Sequence, residues 1–171
     1  TQVRAIAAAS QGRENVRVLL PMVLGEGDLA EAIQLVRNIE TELGLPRHLV
    51  IGAMIETPSA LFALEGISRL ADFLSIGTND LTQFMLAADR DAAELAHDYS
   101  VLHPSVLRAI AQVFRAGRAA SREVCICGEA ASDAATAALD PGEWTTLVAE
   151  DRPRAVVGSG FDAVICARRA G

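Results

Sequence analysis

Short apolar runs alternate along the chain with longer stretches in which apolar residues recur every three or four positions. Val16 to Val23 (VRVLLPMV) reads as a buried strand, a short apolar run with turn formers beyond it. From Glu26 to Leu43 the positions Leu29, Ile33, Val36, Ile39 and Leu43 lie on one face of a helix, which Gly44 and Pro46 end. His48 to Glu56 is the next strand. Thr57-Pro58 then reads as an N-cap with proline at the first helical position, opening a helix to about Leu70. Asp72 to Gly77 is a strand, and Asp80 to Ala88 a helix. A helix from Pro104 puts Val106, Leu107, Ile110, Val113 and Phe114 on one face. Glu123 to Cys127 closes the series as a strand, before a short alanine-rich helix at Asp133 to Leu139.

About four strand–helix alternations predict an α/β protein with a parallel sheet. A closed (β/α)8 barrel usually takes about 250 residues, so 171 residues fit either a small doubly wound sheet or a piece of a larger barrel. Periodicity does not choose between them. After Leu139 the rhythm stops. Asp140-Pro141-Gly142 is a turn, and the stretch from Val156 to Ile165 has strand character broken by Gly158-Ser159-Gly160.

Composition narrows the chemistry. All fifteen basic residues are arginine against 22 acidic ones, giving a net charge of −7, and alanine occurs 31 times. The absence of lysine excludes a Schiff-base lysine and a P-loop lysine within this sequence. A net acidic chain without basic clusters argues against nucleic acid, and no apolar run is long enough for membrane insertion. Cys125, Cys127 and Cys166 form no disulfide framework and no zinc-ligand spacing. With no signal peptide, the expected location is the reducing cytoplasm.

In parallel α/β proteins, side chains for chemistry collect at the carboxyl ends of the strands. Here those ends carry Glu56, then Asn79-Asp80, then Cys127-Gly128-Glu129. Two carboxylates from neighbouring strands repel unless a cation separates them, and hard oxygen ligands completed by water and substrate suit Mg²⁺. Arg90, one short helix after Asp80, is placed to return to the same mouth and grip a phosphate. Each residue also has a plainer reading. Asn79 or Asp80 caps the helix that begins there, Glu56 is a solvated strand end, Cys127 is a small core residue, and Arg90 is a surface charge. His48, His97 and His103 sit in no nucleophile–base pattern, and His103 before Pro104 reads as a loop closure.

The stretches IGAMIETPSA, DFLSIGTNDLTQFMLAADR, HPSVLRAIAQV and CICGEAASD, with VRVLLPM as a further block, closely resemble Enzyme I. Enzyme I is the phosphoenolpyruvate–protein phosphotransferase of the bacterial sugar phosphotransferase system; pyruvate phosphate dikinase is a more distant likeness. The resemblance runs from about Gln2 to Ala138. It implies part of a phosphoenolpyruvate-binding (β/α)8 TIM barrel, lacking the first strands, over residues 1–139. By that likeness Glu56 and Asp80 are the Mg²⁺ ligands, Asn79 contacts the substrate, Arg90 binds its phosphate, and Cys127 gives a proton to the enolate carbon. The implied activity is transfer of phosphate from phosphoenolpyruvate to a histidine. The HPr-type phosphocarrier would dock on an amino-terminal domain outside this sequence, and a homodimer is a further implied partnership.

The resemblance also sets limits. The family's other substrate-holding arginines lie upstream of the matching part; Arg4 and Arg17 fall in matching blocks but not at those positions. None of the three histidines has the Thr-Ser-His setting of the family's phosphorylated residue. This chain alone is therefore expected not to autophosphorylate. Its alternatives are an inactive phosphoenolpyruvate- and Mg²⁺-binding or oligomerisation module, a dikinase-like enzyme part, or a truncated product. Residues 140–171 resemble no part of the family, and their arginine- and alanine-rich composition is what a shifted reading frame in GC-rich DNA would give.

Overall fold

The computed structural model describes residues 2–11, 15–45, 49–88, 100–128 and 164–167. In order these form α1 (Gln2–Ala9), β1 (Arg17–Leu20), α2 (Glu26–Leu43), β2 (Val50–Ile55), α3 (Pro58–Phe62) and α4 (Leu64–Leu70). Then come β3 (Phe73–Gly77), α5 (Thr78–Leu86), α6 (Pro104–Ala119), β4 (Glu123–Cys127) and β5 (Val164–Ala167).

The strand order is β1-β2-β3-β4-β5, and the first four strands are mutually parallel. A doubly wound sheet reverses its strand order at a switch point, whereas a barrel adds each strand beside the one before it. Four consecutive parallel strands without a reversal are thus an arc of a (β/α)8 barrel, and the choice left open by periodicity is made. β5 breaks the pattern. It comes from the stretch after Leu139 and pairs antiparallel with β4, placing Cys166 opposite Cys125 in register.

One face of the arc is apolar and covered by helices. Ala53, Ile55, Leu74, Ile76, Val124 and Ile126 pack with Leu61, Leu64, Ile67, Ile110, Val113 and Phe114, while Val18 and Ile51 pack with Ala7, Val36 and Ile39. Strand side chains alternate. Gly52, Met54, Phe73, Ser75, Gly77, Cys125 and Cys127 therefore take the other face, the one a barrel turns inward. At its amino-terminal end Arg17 reaches across two strands to Glu123 (2.9 Å) and lies over the Phe73 ring at 5.4 Å. That ring fills the space a side chain on Gly52 would need. Arg17 is thus a structural cation at the end of the sheet remote from the strand-end chemistry, and Arg4 pairs with Glu42 on the exterior.

Buried Glu40 of α2 performs a similar anchoring task. Its carboxylate accepts from the Leu49 amide at 2.6 Å and from Arg37 at 3.0 Å, which fixes the entry to β2. The helix read as continuous from Thr57 to Leu70 is divided at Ala63, where the backbone leaves helical geometry. The Gln112 side chain of α6 donates to the Leu61 carbonyl, supplying a partner from outside the helix at the break. α1 carried too few apolar positions to stand out as periodic, although Val3, Ile6 and Ala7 pack inward.

Candidate active site

Glu56 is the first residue beyond β2 and only 3% exposed, so it is not a solvated strand end. The Met22 amide donates to its Oε1 at 2.6 Å. Met22 is aimed by a left-handed backbone (φ 53°) in the loop after β1. That loop is pinned from the other side: the Thr57 hydroxyl donates to the Val23 carbonyl (3.1 Å) and Ser59 to that of Leu24 (2.7 Å). Thr57 also caps α3 by accepting from the Ala60 amide, as the sequence predicts.

The other oxygen of Glu56 turns toward β3. A Cβ on Gly77 would stand 2.4 Å from Oε2 and 2.9 Å from the Cβ of Glu56, so the carboxylate occupies the space a side chain at position 77 would fill. Asp80 lies close enough for its charge to act on the same carboxyl. Burial, above all, pushes the Glu56 carboxyl above its ordinary range. The Met22 amide opposes this, and the Asp80 carboxylate adds to it by repulsion.

α5 starts at Thr78, two residues earlier than the periodicity indicates, with Gly77 as N-cap and no side-chain capping bond. Asn79 and Asp80 are therefore not caps. Both lie in the first turn of α5, half-buried, at the carboxyl end of β3. Thr78 ties that turn to the next strand, its hydroxyl donating to the Cys127 carbonyl at 2.8 Å. Just beyond β4, Gly128 has a φ of +101°, a conformation that L side chains rarely adopt. A Cβ there would also meet Thr78 Oγ1 at 2.5 Å and Asn79 Oδ1 at 2.9 Å. The Asn79 amide thus rests over a glycine that nothing larger could replace without displacing it.

Cys127 ends β4, paired in register with Gly77, and is 3% exposed. Its thiol donates to the Ile76 carbonyl at 3.1 Å and accepts from the Ser75 hydroxyl at 3.4 Å. Burial pushes the thiol up, the Ser75 hydrogen bond opposes this, and the Glu56 and Asp80 carboxylates add to it. A thiol so placed stays protonated at neutral pH. Cys125 is disulfide-bonded, a correction to the expected set of unlinked thiols. Its position opposite Cys166 in the β4–β5 pair is the backbone feature that accompanies this.

Four of the five candidate residues, Glu56, Asn79, Asp80 and Cys127, come from three adjacent strand ends. Arg90 lies outside the described residues, as do Glu129, His48, His97 and the helix expected at 133–139. His103 caps α6, its Nδ1 accepting from the Ser105 amide at 3.3 Å. Sequence reasoning named Gly128 at its strand end but missed the Met22 amide, Gly77, Ser75 and Thr78. Glycines directly after two of the apolar runs were the visible signal for close approach; the amide of Met22 had none.

Among the described residues no group of three or more His, Cys, Asp and Glu forms a metal cage. A buried carboxylate with a second, half-buried one close by fits an ion that keeps most of its sphere for water and substrate oxygens. Mg²⁺ is such an ion.

The arc has known counterparts. Residues 1–140 match the family model described as PEP-utilising enzyme, PEP-binding domain. A protein of the phosphoenolpyruvate-dependent phosphotransferase system from Escherichia coli K12 is 40% identical over 138 residues, which cover 77% of this chain and 18% of that protein. A multiphosphoryl transfer protein from Rhodobacter capsulatus is 42% identical over 142 residues, 83% of this chain and 17% of that protein. This chain thus spans under a fifth of the length of these curated relatives. Among solved structures, a citrate lyase from Burkholderia xenovorans LB400 superposes with a TM-score of 0.59 at 23% identity, covering 71% of this chain and 38% of that one. That likeness shows the fold alone.

Proposed function

The chain belongs to the family of PEP-utilising enzymes, as their PEP-binding domain, and from that premise we propose that it binds phosphoenolpyruvate and Mg²⁺ within a phosphoenolpyruvate–protein phosphotransferase. The observation that supports this reading is the pair Glu56 and Asp80, brought near each other after adjacent strands, with the Glu56 carboxylate in the space that Gly77 leaves by having no side chain. In that reading the whole protein moves the phosphoryl group to a histidine on another domain and passes it to a phosphocarrier of the HPr type. It serves sugar uptake from the cytoplasm and can do so as a homodimer. No helix among the described residues is long and apolar enough to cross a membrane.

Glu56 and Asp80 would hold Mg²⁺, with Glu56 fixed by the Met22 amide and its second oxygen beside Gly77. The bound ion would supply Lewis-acid stabilisation of the negative charge on the phosphoryl and enolate oxygens. Asn79 contacts the substrate from the first turn of α5, and Arg90 grips the phosphate. Once the phosphorus–oxygen bond has broken, the enolate must take a proton at its terminal carbon. Cys127 is the proton donor: its S–H bond breaks as the C–H bond forms, and the sulfur keeps the electron pair. A buried, protonated thiol is suited to that role.

Calorimetric titration of the chain with Mg²⁺, and with phosphoenolpyruvate in the presence of Mg²⁺, tests the reading. Wild type should bind the ion, and Asp80→Asn should weaken it by about tenfold or more, the scale of altered metal surroundings. Equal heats from both proteins would remove Asp80 from the site, and no heat from wild type would reject the metal reading altogether.

A further inference from the structure

Ser75 is 1% exposed in a strand whose other residues are Phe73, Leu74, Ile76 and Gly77, yet it carries a hydroxyl. A buried hydroxyl is costly unless it is hydrogen-bonded, so the direction of its bond is informative. The hydroxyl donates to Cys127 Sγ at 3.4 Å. In register Ser75 pairs with Cys125 and Gly77 with Cys127. Ser75 therefore lies one pair below the thiol, on the same inward-turned face, on the side away from the strand ends. The thiol's own proton goes to the Ile76 carbonyl at 3.1 Å.

We propose that Ser75 is a positioning residue for Cys127, holding its sulfur from beneath and donating to it after the thiol has given up its proton. The inference rests on the reading of Cys127 as proton donor. When the S–H bond breaks and the proton joins the enolate carbon, the sulfur is left as a thiolate. Its burial and the Glu56 and Asp80 carboxylates both disfavour that charge, and the Ser75 hydrogen bond is the influence that opposes them. The Ser75 O–H bond stays intact throughout and becomes a charge-assisted donor to sulfur. Water restores the thiol proton after product leaves. No exchange of the serine proton is required.

The test is the rate at which uncharged iodoacetamide alkylates Cys127 in the full chain between pH 7 and 9, read by peptide mass spectrometry. Below the thiol's titration the rate follows the thiolate fraction. Ser75→Ala should slow it by about tenfold, the scale of one hydrogen bond to a charged group. A merely structural role predicts the opposite sign, because a loosened strand exposes sulfur and speeds the reaction. Ser75→Thr should restore the rate to near wild type. Ser75→Val, with the branched shape of Thr but without a hydroxyl, should be about tenfold slower than Thr, which keeps the comparison sound if the alanine variant loosens. Rates that are unchanged or faster in both hydroxyl-free variants would overturn the proposal. The assay needs neither metal nor substrate, so its failure is distinguishable from a failed Mg²⁺ titration.

Discussion

Gly77→Ala is expected to weaken Mg²⁺ binding by roughly a hundredfold and to destabilise the fold by about 1–3 kcal/mol. The backbone at Gly77 (φ −82°, ψ 85°) does not lie in the left-handed region, so the effect comes from volume. The new methyl would lie 2.4 Å from Glu56 Oε2, 2.9 Å from its Cβ and 3.2 Å from Met54 Sδ. Glu56 has little room to retreat, because its other oxygen is held by the Met22 amide at 2.6 Å and Met22 belongs to the loop pinned by Thr57 and Ser59. Either the carboxylate turns and abandons Met22, or β2 and β3 separate. Both outcomes displace the oxygen that lies beside Gly77. Gly27→Ala is the control, since a Cβ there meets nothing within 4 Å and alanine is a better helix former than glycine in α2. Denaturant unfolding and calorimetry on the two variants read the contrast. Equal Mg²⁺ affinity in Gly77→Ala and wild type would show that the metal does not use Glu56 as placed here.

The sheet itself was legible because its strands are short apolar runs with firm ends. Glu123 to Cys127 is reproduced residue for residue, and Glu26 to Leu43 keeps both its boundaries. What periodicity could not supply was the order of strands, since a barrel arc and a doubly wound sheet bury the same alternation of elements; the resemblance to Enzyme I supplied it, and the register agrees. The start of α5 was misplaced for a local reason. Asn79 and Asp80 read as caps, yet the helix already begins at Thr78, whose hydroxyl donates to the Cys127 carbonyl. The candidate residues were legible as residue types at strand ends. Their second layer was not, because a main-chain amide such as that of Met22, or a space kept open by Gly77, is a property of approach between segments far apart in sequence.

Mg²⁺ affinity is expected to rise with pH by up to tenfold per unit, from the ordinary carboxyl value near 4.5 until Glu56 has ionised in the folded chain. Burial raises this carboxyl first, and repulsion from Asp80 second, so in the metal-free fold part of the protein carries Glu56 protonated above the range in which the unfolded chain has lost that proton. The sign for stability follows. A carboxyl raised on folding contributes stability that is fully present below its unfolded value and is lost as pH rises through its folded value. The metal-free chain should therefore lose this contribution over that window. With saturating Mg²⁺ the dependence should reverse, because an ion held by the carboxylate would expel the proton. Calorimetry above pH 4.5 in buffers of different ionisation enthalpy should report proton release on ion binding, declining as rising pH ionises Glu56 in the metal-free fold. Asp80→Asn removes the repulsive cause and should move the window down, whereas Glu56→Gln should abolish it together with most of the affinity. A flat affinity across the window, or proton uptake on binding, would place the metal away from Glu56.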